Sequence, residues 1–492
     1  MDLPSSSFKR NQLNNKGPAW DVYPPDISGT FKVKLNPFSY LVNEPTFNLR
    51  YYGYTKFANP TSKNPTPTFV YCGNEGPIES FYNASGGIFN LAETHSALVV
   101  FIEHRYYGDS LPFGDVRSFT NGNLRYLNIP SALADYASFL STLPTLLPNF
   151  QPSPKTTILF GGSYGGMLAA WHRFQYPHLS IGAVASGAPI DFYPKDGSQD
   201  AFYEAFLETY ETTEQGCGYE LDRLITALRD VSTYTDLLDG GLIPCSHGPL
   251  DYDTAPFWSY ALGALATMAC VDYPYPTGFI AELPGEPVKM ACRGILREGE
   301  GGVKKIVEAV NVYVNYTGGL ECWDLDAELV GGGRKGGGYV KKGDLGVTSW
   351  NYQACTELVL EPLTSDGLGF YPPRDGEETK KVEERCREMF GVTTDEGVMG
   401  IRYGRGEDYT KYLTNTILVE NSRDPWKVGT RGVGENWENG MSKYEAEGGA
   451  HHQDLRFESE GDSEGVKEAR RRESEAIGKW LREGEGNKGA IN

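Results

Sequence analysis

The sequence predicts a doubly wound α/β sheet interrupted by a cysteine-rich insertion. Three observations carry this. Apolar runs of strand length alternate with segments of helical period, the order of a mostly parallel sheet. The run Ala97-Leu98-Val99-Val100-Phe101-Ile102 is unbroken, as a strand buried on both faces requires. The run Thr156-Thr157-Ile158-Leu159-Phe160 passes through Gly161-Gly162-Ser163-Tyr164-Gly165-Gly166 into a helical pattern that begins at Met167.

Taken in order, residues 1–30 are rich in Pro, Ser and Asn and read as irregular. Phe47-Asn48-Leu49-Arg50-Tyr51-Tyr52 alternates and reads as a strand. Thr68-Phe69-Val70-Tyr71-Cys72 is a second, ending in the polar loop Gly73-Asn74-Glu75-Gly76-Pro77. Loops at the C-terminal ends of strands are where α/β folds build sites. The 97–102 strand ends in Glu103-His104-Arg105-Tyr106-Tyr107-Gly108, and Ser131 is placed to cap the helix that follows. After the glycine-dense turn, Ile181-Gly182-Ala183-Val184-Ala185-Ser186 is the next strand.

Beyond about residue 190 the pattern changes. Segments 201–211 and 218–232 have helical period, whereas 296–305 and 331–343 are rich in Gly and charge and read as exposed loops. Thr416-Ile417-Leu418-Val419-Glu420 resumes the strand pattern, with Asn421-Ser422-Arg423-Asp424-Pro425-Trp426 as its loop. A strand-like run at 443–450 leads into His451-His452-Gln453-Asp454. The charged segment 457–492 reads as a frayed tail in which only 476–481 belongs to a helix.

Composition narrows the function classes. With 39% hydrophobic and 13% aromatic residues in 492, the chain folds. A net charge of −20 argues against nucleic acid or an anionic membrane surface as a partner. No run approaches the ~18 apolar residues of a membrane span. Residues 1–10 lack the apolar core of a secretory signal. Seven of the eight cysteines lie between Cys217 and Cys386, with Cys72 apart, and none forms a CxxC pair. Disulfides stapling the insertion, in an oxidising compartment, fit better than zinc. No metal or cofactor is expected. Two sequons, at Asn83 and Asn315, offer N-glycosylation sites.

Gly161-x-Ser163-x-Gly165 fits a nucleophile elbow. A strand that reverses into a helix within a few residues strains the serine and leaves no room for flanking side chains. A serine hydroxyl needs an imidazole to take its proton and a carboxylate to fix that imidazole's tautomer. Hydrolases on such sheets order them Ser, Asp, His. Of seven histidines, His451 and His452 alone lie in a late loop at a strand end, and Asp424 ends the strand before. Ser163, Asp424 and His451 match that order, although the residues alone do not choose between His451 and His452. Asp454 is the rival carboxylate, too near the histidines in sequence for the usual arrangement.

Together, Gly73-Asn74-Glu75-Gly76-Pro77, Glu103-His104-Arg105-Tyr106-Tyr107-Gly108, Gly162-Ser163-Tyr164-Gly165-Gly166, Trp350-Asn351-Tyr352-Gln353-Ala354-Cys355-Thr356-Glu357, Asp424-Pro425-Trp426 and Gly449-Ala450-His451-His452-x-Asp454-Leu455-Arg456 resemble the prolyl carboxypeptidase and dipeptidyl peptidase II family of serine peptidases. The resemblance spans about residues 30 to 456. It implies an α/β-hydrolase sheet with a largely helical, disulfide-bearing cap, and cleavage after proline. Residues 31–190 and 396–456 would form the hydrolase domain and 191–395 the cap, leaving 1–30 and 457–492 outside both.

The resemblance makes Ser163 the nucleophile, Asp424 the orienter and His451, first of the pair, the base. The oxyanion hole would use the N–H of Tyr164 and one from the Gly73-Asn74 turn. Tyr164, Met167 and Trp426 match positions that line the family's proline pocket. It also implies a secreted, lysosomal or vacuolar glycoprotein acting on peptides, with a homodimer one open arrangement. The family's usual Asn-Gly-x-x-Asp-Pro-Trp is one residue shorter here, at Asn421-Ser422-Arg423-Asp424. A carboxypeptidase is the first reading and a dipeptidyl aminopeptidase the second; an esterase or an inactive binding protein follow.

Overall fold

The computed structural model describes residues 19–60, 64–192, 198–229, 231–245, 254–323, 347–358, 377–393 and 397–486. Eight strands form one sheet: β1 (Ile27–Lys34), β2 (Thr46–Tyr54), β3 (Thr68–Cys72), β4 (Leu98–Ile102), β5 (Thr157–Gly162), β6 (Gly182–Ser186), β7 (Thr416–Asn421) and β8 (Met441–Ala446). Their spatial order is β1-β2-β4-β3-β5-β6-β7-β8. β1 and β2 run antiparallel, and β2 joins β4 antiparallel. From β4 to β8 every pairing is parallel.

Alternation along the strands divides the core. Val70, Val100, Leu159, Ala185 and Leu418 face the helix Ile129–Leu146 and the elbow helix Tyr164–Gln175. Phe69, Phe101, Phe160, Val184 and Val419 face the helices Ile78–Ala84 and Gly86–His95 and a terminal helix, Glu464–Gly486. Both faces are covered, so β3 to β7 are buried along their whole lengths, apart from edge positions elsewhere in the sheet.

Between β6 and β7 the described residues are helical. They include Ser198–Thr213, Cys217–Leu228, Ala255–Cys270, Pro287–Ile295, Gly302–Asn315, Val347–Ala354 and Glu377–Phe390. Disulfides Cys217–Cys292, Cys245–Cys322 and Cys355–Cys386 tie this insertion together. By restricting the unfolded chain, such links contribute about 2–4 kcal/mol each. Cys72 and Cys270 are free, buried thiols. Among the described residues no group of His, Cys, Asp and Glu could hold a metal ion, and no helix is long and apolar enough to cross a membrane.

Four readings are corrected. Ser131 is not the cap of its helix: Asn128 is, its Oδ1 accepting the Ser131 N–H at 2.9 Å, because the helix starts at Ile129 with Pro130 in its first turn. The 457–492 tail is largely one helix, Glu464–Gly486, whose Val466, Ala469, Ile477 and Trp480 are buried against the sheet. The exposed-loop reading of 296–305 ends at Gly302, where the helix to Asn315 begins. Residues 1–30 include the short helix Ala19–Val22 and the start of β1. Segment 331–343 lies outside the described residues.

Candidate active site

The glycines of the elbow are required by contact. A methyl on Gly161 would lie 2.0 Å from the Gly165 carbonyl oxygen, and one on Gly165 would lie 2.2 Å from Asn74 Oδ1. Ser163, at φ 56° and ψ −128°, sits in the strained turn between β5 and the elbow helix. Its N–H donates to the Ser186 carbonyl at 2.9 Å, tying the elbow to the end of β6. The hydroxyl thus stands at the positive end of a twelve-residue helix.

The β3 loop folds onto the elbow. Asn74 Nδ2 donates to the Gly162 carbonyl at 2.7 Å, and Tyr136 O–H donates to the Gly73 carbonyl at 3.0 Å. A methyl on Gly73 would lie 2.2 Å from the Ile102 carbonyl oxygen, so the backbone itself closes the gap to β4. The Glu75 carboxyl is pushed up by burial and drawn back by its own and neighbouring hydrogen bonds and by His451.

At the end of β7, the shortened loop closes as a tight turn, with the Asp424 N–H donating to Asn421 O at 2.9 Å. The Asp424 carboxylate is fully buried. Oδ1 accepts the Trp426 N–H at 3.0 Å, and Oδ2 lies 2.5 Å from His451 Nδ1. The missing residue therefore does not move Asp424 away from the histidine loop.

The insertion holds His451 by its backbone. The His451 N–H donates to Cys270 O at 2.8 Å, and Tyr273 O–H donates to His451 O at 2.9 Å. Gly187, next to Ser186, passes beneath the imidazole. His452 takes the left-handed conformation at φ 39°, and its ring lies against the Gly162 α-carbon instead of facing Asp424. Burial above all, with the His451 ring and the Arg456 guanidinium nearby, pushes His452 well down, so it stays neutral. Asp454 turns the other way: its Oδ1 accepts from Ser186 Oγ at 2.6 Å and from Asn421 Nδ2 at 3.2 Å.

Tyr164 and Met167 are buried on the elbow helix. The Tyr164 ring meets Trp350 edge-on at 5.5 Å; the motif that begins at Trp350 was quoted from the sequence, but with no place in the pocket. Trp426 packs against Phe192 and Phe202, at 5.4 and 4.7 Å. Asn83 and Asn315 sit within or at the end of helices, with amide atoms bonded to Trp20 N and to the Leu320 backbone.

A sheet of this order, an elbow after β5 and a helical insertion after β6 define an α/β-hydrolase. Residues 33–473 match the family described as serine carboxypeptidase S28. The human lysosomal Pro-X carboxypeptidase is 31% identical over 460 residues, 92% of this chain and 88% of that one. The prolyl carboxy peptidase like protein 5 of Caenorhabditis elegans is 32% identical over 476 residues, 92% of this chain and 90% of that one. Among solved structures, a proline iminopeptidase of Mycobacterium smegmatis is 11% identical with a TM-score of 0.39, covering 92% of this chain and 99% of that one. The chain belongs to the serine carboxypeptidase S28 family, and it is a serine-type peptidase acting on peptides.

Proposed function

We propose that this peptidase removes single residues from the C-terminal side of a penultimate proline, through Ser163, His451 and Asp424. One observation carries the triad: His451 Nδ1 lies 2.5 Å from the buried Asp424 Oδ2, at the strand-end edge where Ser163 stands. Asp424 can only accept there, so it fixes the hydrogen of neutral His451 on Nδ1 and leaves Nε2 bare to act as base.

In the proposed cycle, Ser163 Oγ attacks the carbonyl carbon of the proline residue and its proton passes to His451 Nε2. The C–N bond breaks, the amine leaves with that proton, and an acyl-enzyme remains. Water then attacks the acyl carbon and gives a proton to His451 Nε2; the bond to Ser163 Oγ breaks, Ser163 takes that proton back, and the shortened peptide leaves with a free carboxylate. The developing oxyanion would be met by the Tyr164 N–H and an N–H of the Gly73-Asn74 turn, at about 3 kcal/mol per donor. Tyr164, Met167 and Trp426 would receive the pyrrolidine ring, which is compact, rigid and without an N–H.

The relatives named lysosomal Pro-X carboxypeptidase support the carboxypeptidase reading. They and the three disulfides support a lysosomal or secreted location. The test is labelling with a fluorophosphonate followed by peptide mapping. The proposal expects the adduct on Ser163 and no label on Ser163→Ala. Label elsewhere, or none on the wild-type protein, would overturn it.

A further inference from the structure

The stretch Trp350 to Glu357 carries a side chain that the chemistry above leaves unused. Gln353 is fully buried in the insertion and reaches the elbow. Its Nε2 donates to Tyr164 Oη at 2.8 Å, and its Oε1 accepts from Tyr107 O–H at 2.5 Å. Tyr164 Oη also lies 3.0 Å from His104 Nε2, and His104 Nδ1 lies 2.6 Å from Arg105 O.

The direction of every bond in this chain follows from elementary chemistry. A carbonyl oxygen only accepts, so His104 Nδ1 carries the hydrogen. Burial pushes His104 down to about 3, so the ring is neutral and Nε2 is bare. Tyr164 must therefore give its hydroxyl hydrogen to His104, and its oxygen must accept from elsewhere. Gln353 Nε2 is that donor, which turns Oε1 to Tyr107. The order is Tyr107 to Gln353 to Tyr164 to His104 to the backbone carbonyl of Arg105, with no ionised group in the chain.

Gln353 is itself held. Ser349 Oγ on the same helix donates to Tyr106 O at 3.0 Å. Just beyond it, Glu357 accepts the Ile129 N–H at 2.6 Å and pairs with Arg402, and Cys355 is bonded to Cys386. A rigid arm of the insertion thus fixes the ring of the residue that follows Ser163.

We propose that Gln353 is a positioning residue, which locks Tyr164 from the insertion so that the Tyr164 N–H and ring keep the orientation that acylation of Ser163 needs. This rests on the reading of Ser163 as nucleophile. Gln353 would act through Tyr164 and touch no substrate. The charged groups that reach Tyr164 are Glu75, from the β3 loop, and Glu357. Both are present in every variant below, so ratios to wild type cancel their titration.

The experiment compares wild type, Gln353→Leu, Tyr164→Phe, the double variant and Gln353→Glu. It reads the rate of fluorophosphonate labelling and kcat and KM on an N-blocked peptide ending in Pro-Phe. Gln353→Leu should lower the labelling rate and kcat tenfold or more, with a smaller change in KM. The double variant should be no worse than the poorer single one, since both cut the same chain.

Gln353→Glu supplies a readout that a merely structural role would not move. A protonated carboxyl can accept from Tyr107 and donate to Tyr164; a carboxylate has no hydrogen for Tyr164. Its labelling rate relative to wild type should approach unity in acid and fall as pH rises. Losses that multiply in the double variant, or a ratio flat with pH, would overturn the positioning role while wild type still labels on Ser163. A wild type that takes no label on Ser163 overturns the functional reading and this inference with it. Should Gln353→Leu fail to fold, the pH profile of Gln353→Glu decides alone.

Discussion

Gly187 passes so close beneath His451 that a methyl on its α-carbon would sit 2.9 Å from Nδ1 and 3.0 Å from Cε1. The same residue has φ 54°, in the left-handed region. Gly187→Ala should therefore strain the backbone by roughly 1–2 kcal/mol and push the imidazole off Asp424. A displacement near 1 Å is expected to cost about 10²-fold in kcat. Steady-state kinetics beside thermal unfolding checks this: a variant that loses stability and keeps full kcat would contradict it.

In the proposed triad Asp424 fixes the tautomer of His451, so its charge matters as well as its shape. Asp424→Asn keeps the volume but presents an amide that can donate to Nδ1, which favours the wrong ring hydrogen. The expected loss in kcat is about 10⁴-fold, with near-native unfolding. A loss under about tenfold would remove Asp424 from the role assigned here.

The two histidines should separate cleanly. His451→Ala removes the group facing Asp424 and should abolish turnover. His452→Ala removes a neutral ring that packs against Gly162, and should only weaken turnover, through packing at the elbow. Side-by-side kinetics of the two variants is sufficient, and the reverse pattern would reject the assignment.

Beneath this loop two carboxyls share a buried space. Glu473, on the terminal helix, is fully buried, and burial followed by the Asp454 charge and hydrogen bond pushes it well above the usual range; Arg470 draws it back. Both Glu473 oxygens and Asp454 Oδ2 lack a donor, and a proton held between the two acids would join Asp454 Oδ2 to one of the Glu473 oxygens. The groups facing the pair are Arg470, which also binds Asp462, and the hydroxyl and amide of Ser186 and Asn421 on Asp454.

The sign of the pH effect follows. Unfolded, Glu473 loses its proton near pH ~4.3. Folded, it holds the proton to higher pH, so the contribution is full in acid and declines as pH rises, until the raised value is passed. Glu473→Gln should flatten the fall in thermal midpoint as pH rises above the ordinary carboxylate range. Parallel wild-type and variant profiles would contradict a shared proton.

What the sequence disclosed depended on how much of each signal is local. The elbow was legible because its strand-to-helix reversal is local: a methyl on Gly161 would strike the Gly165 carbonyl four residues on, although the contact that constrains Gly165 comes from Asn74 in the β3 loop. The strands were legible because unbroken apolar runs have few other uses. Most of the terminal helix beyond the 476–481 turn was missed because Arg470 and Glu473 occupy its buried stripe between Ala469 and Ile477, which hides the apolar period. Adjacent histidines look alike in sequence; the structure tells them apart by partner, since His451 meets Asp424 while the left-handed His452 packs against Gly162. Gln353 gave no signal of its role, since its partners Tyr107 and Tyr164 lie 246 and 189 residues away.

The most direct test of the central claim is mass spectrometry of one synthetic peptide with proline second from each end, digested by wild type and by Ser163→Ala. Loss of the single C-terminal residue by wild type, absent with Ser163→Ala, is the predicted result. Release of the N-terminal dipeptide, or the same cleavage by both proteins, would contradict it.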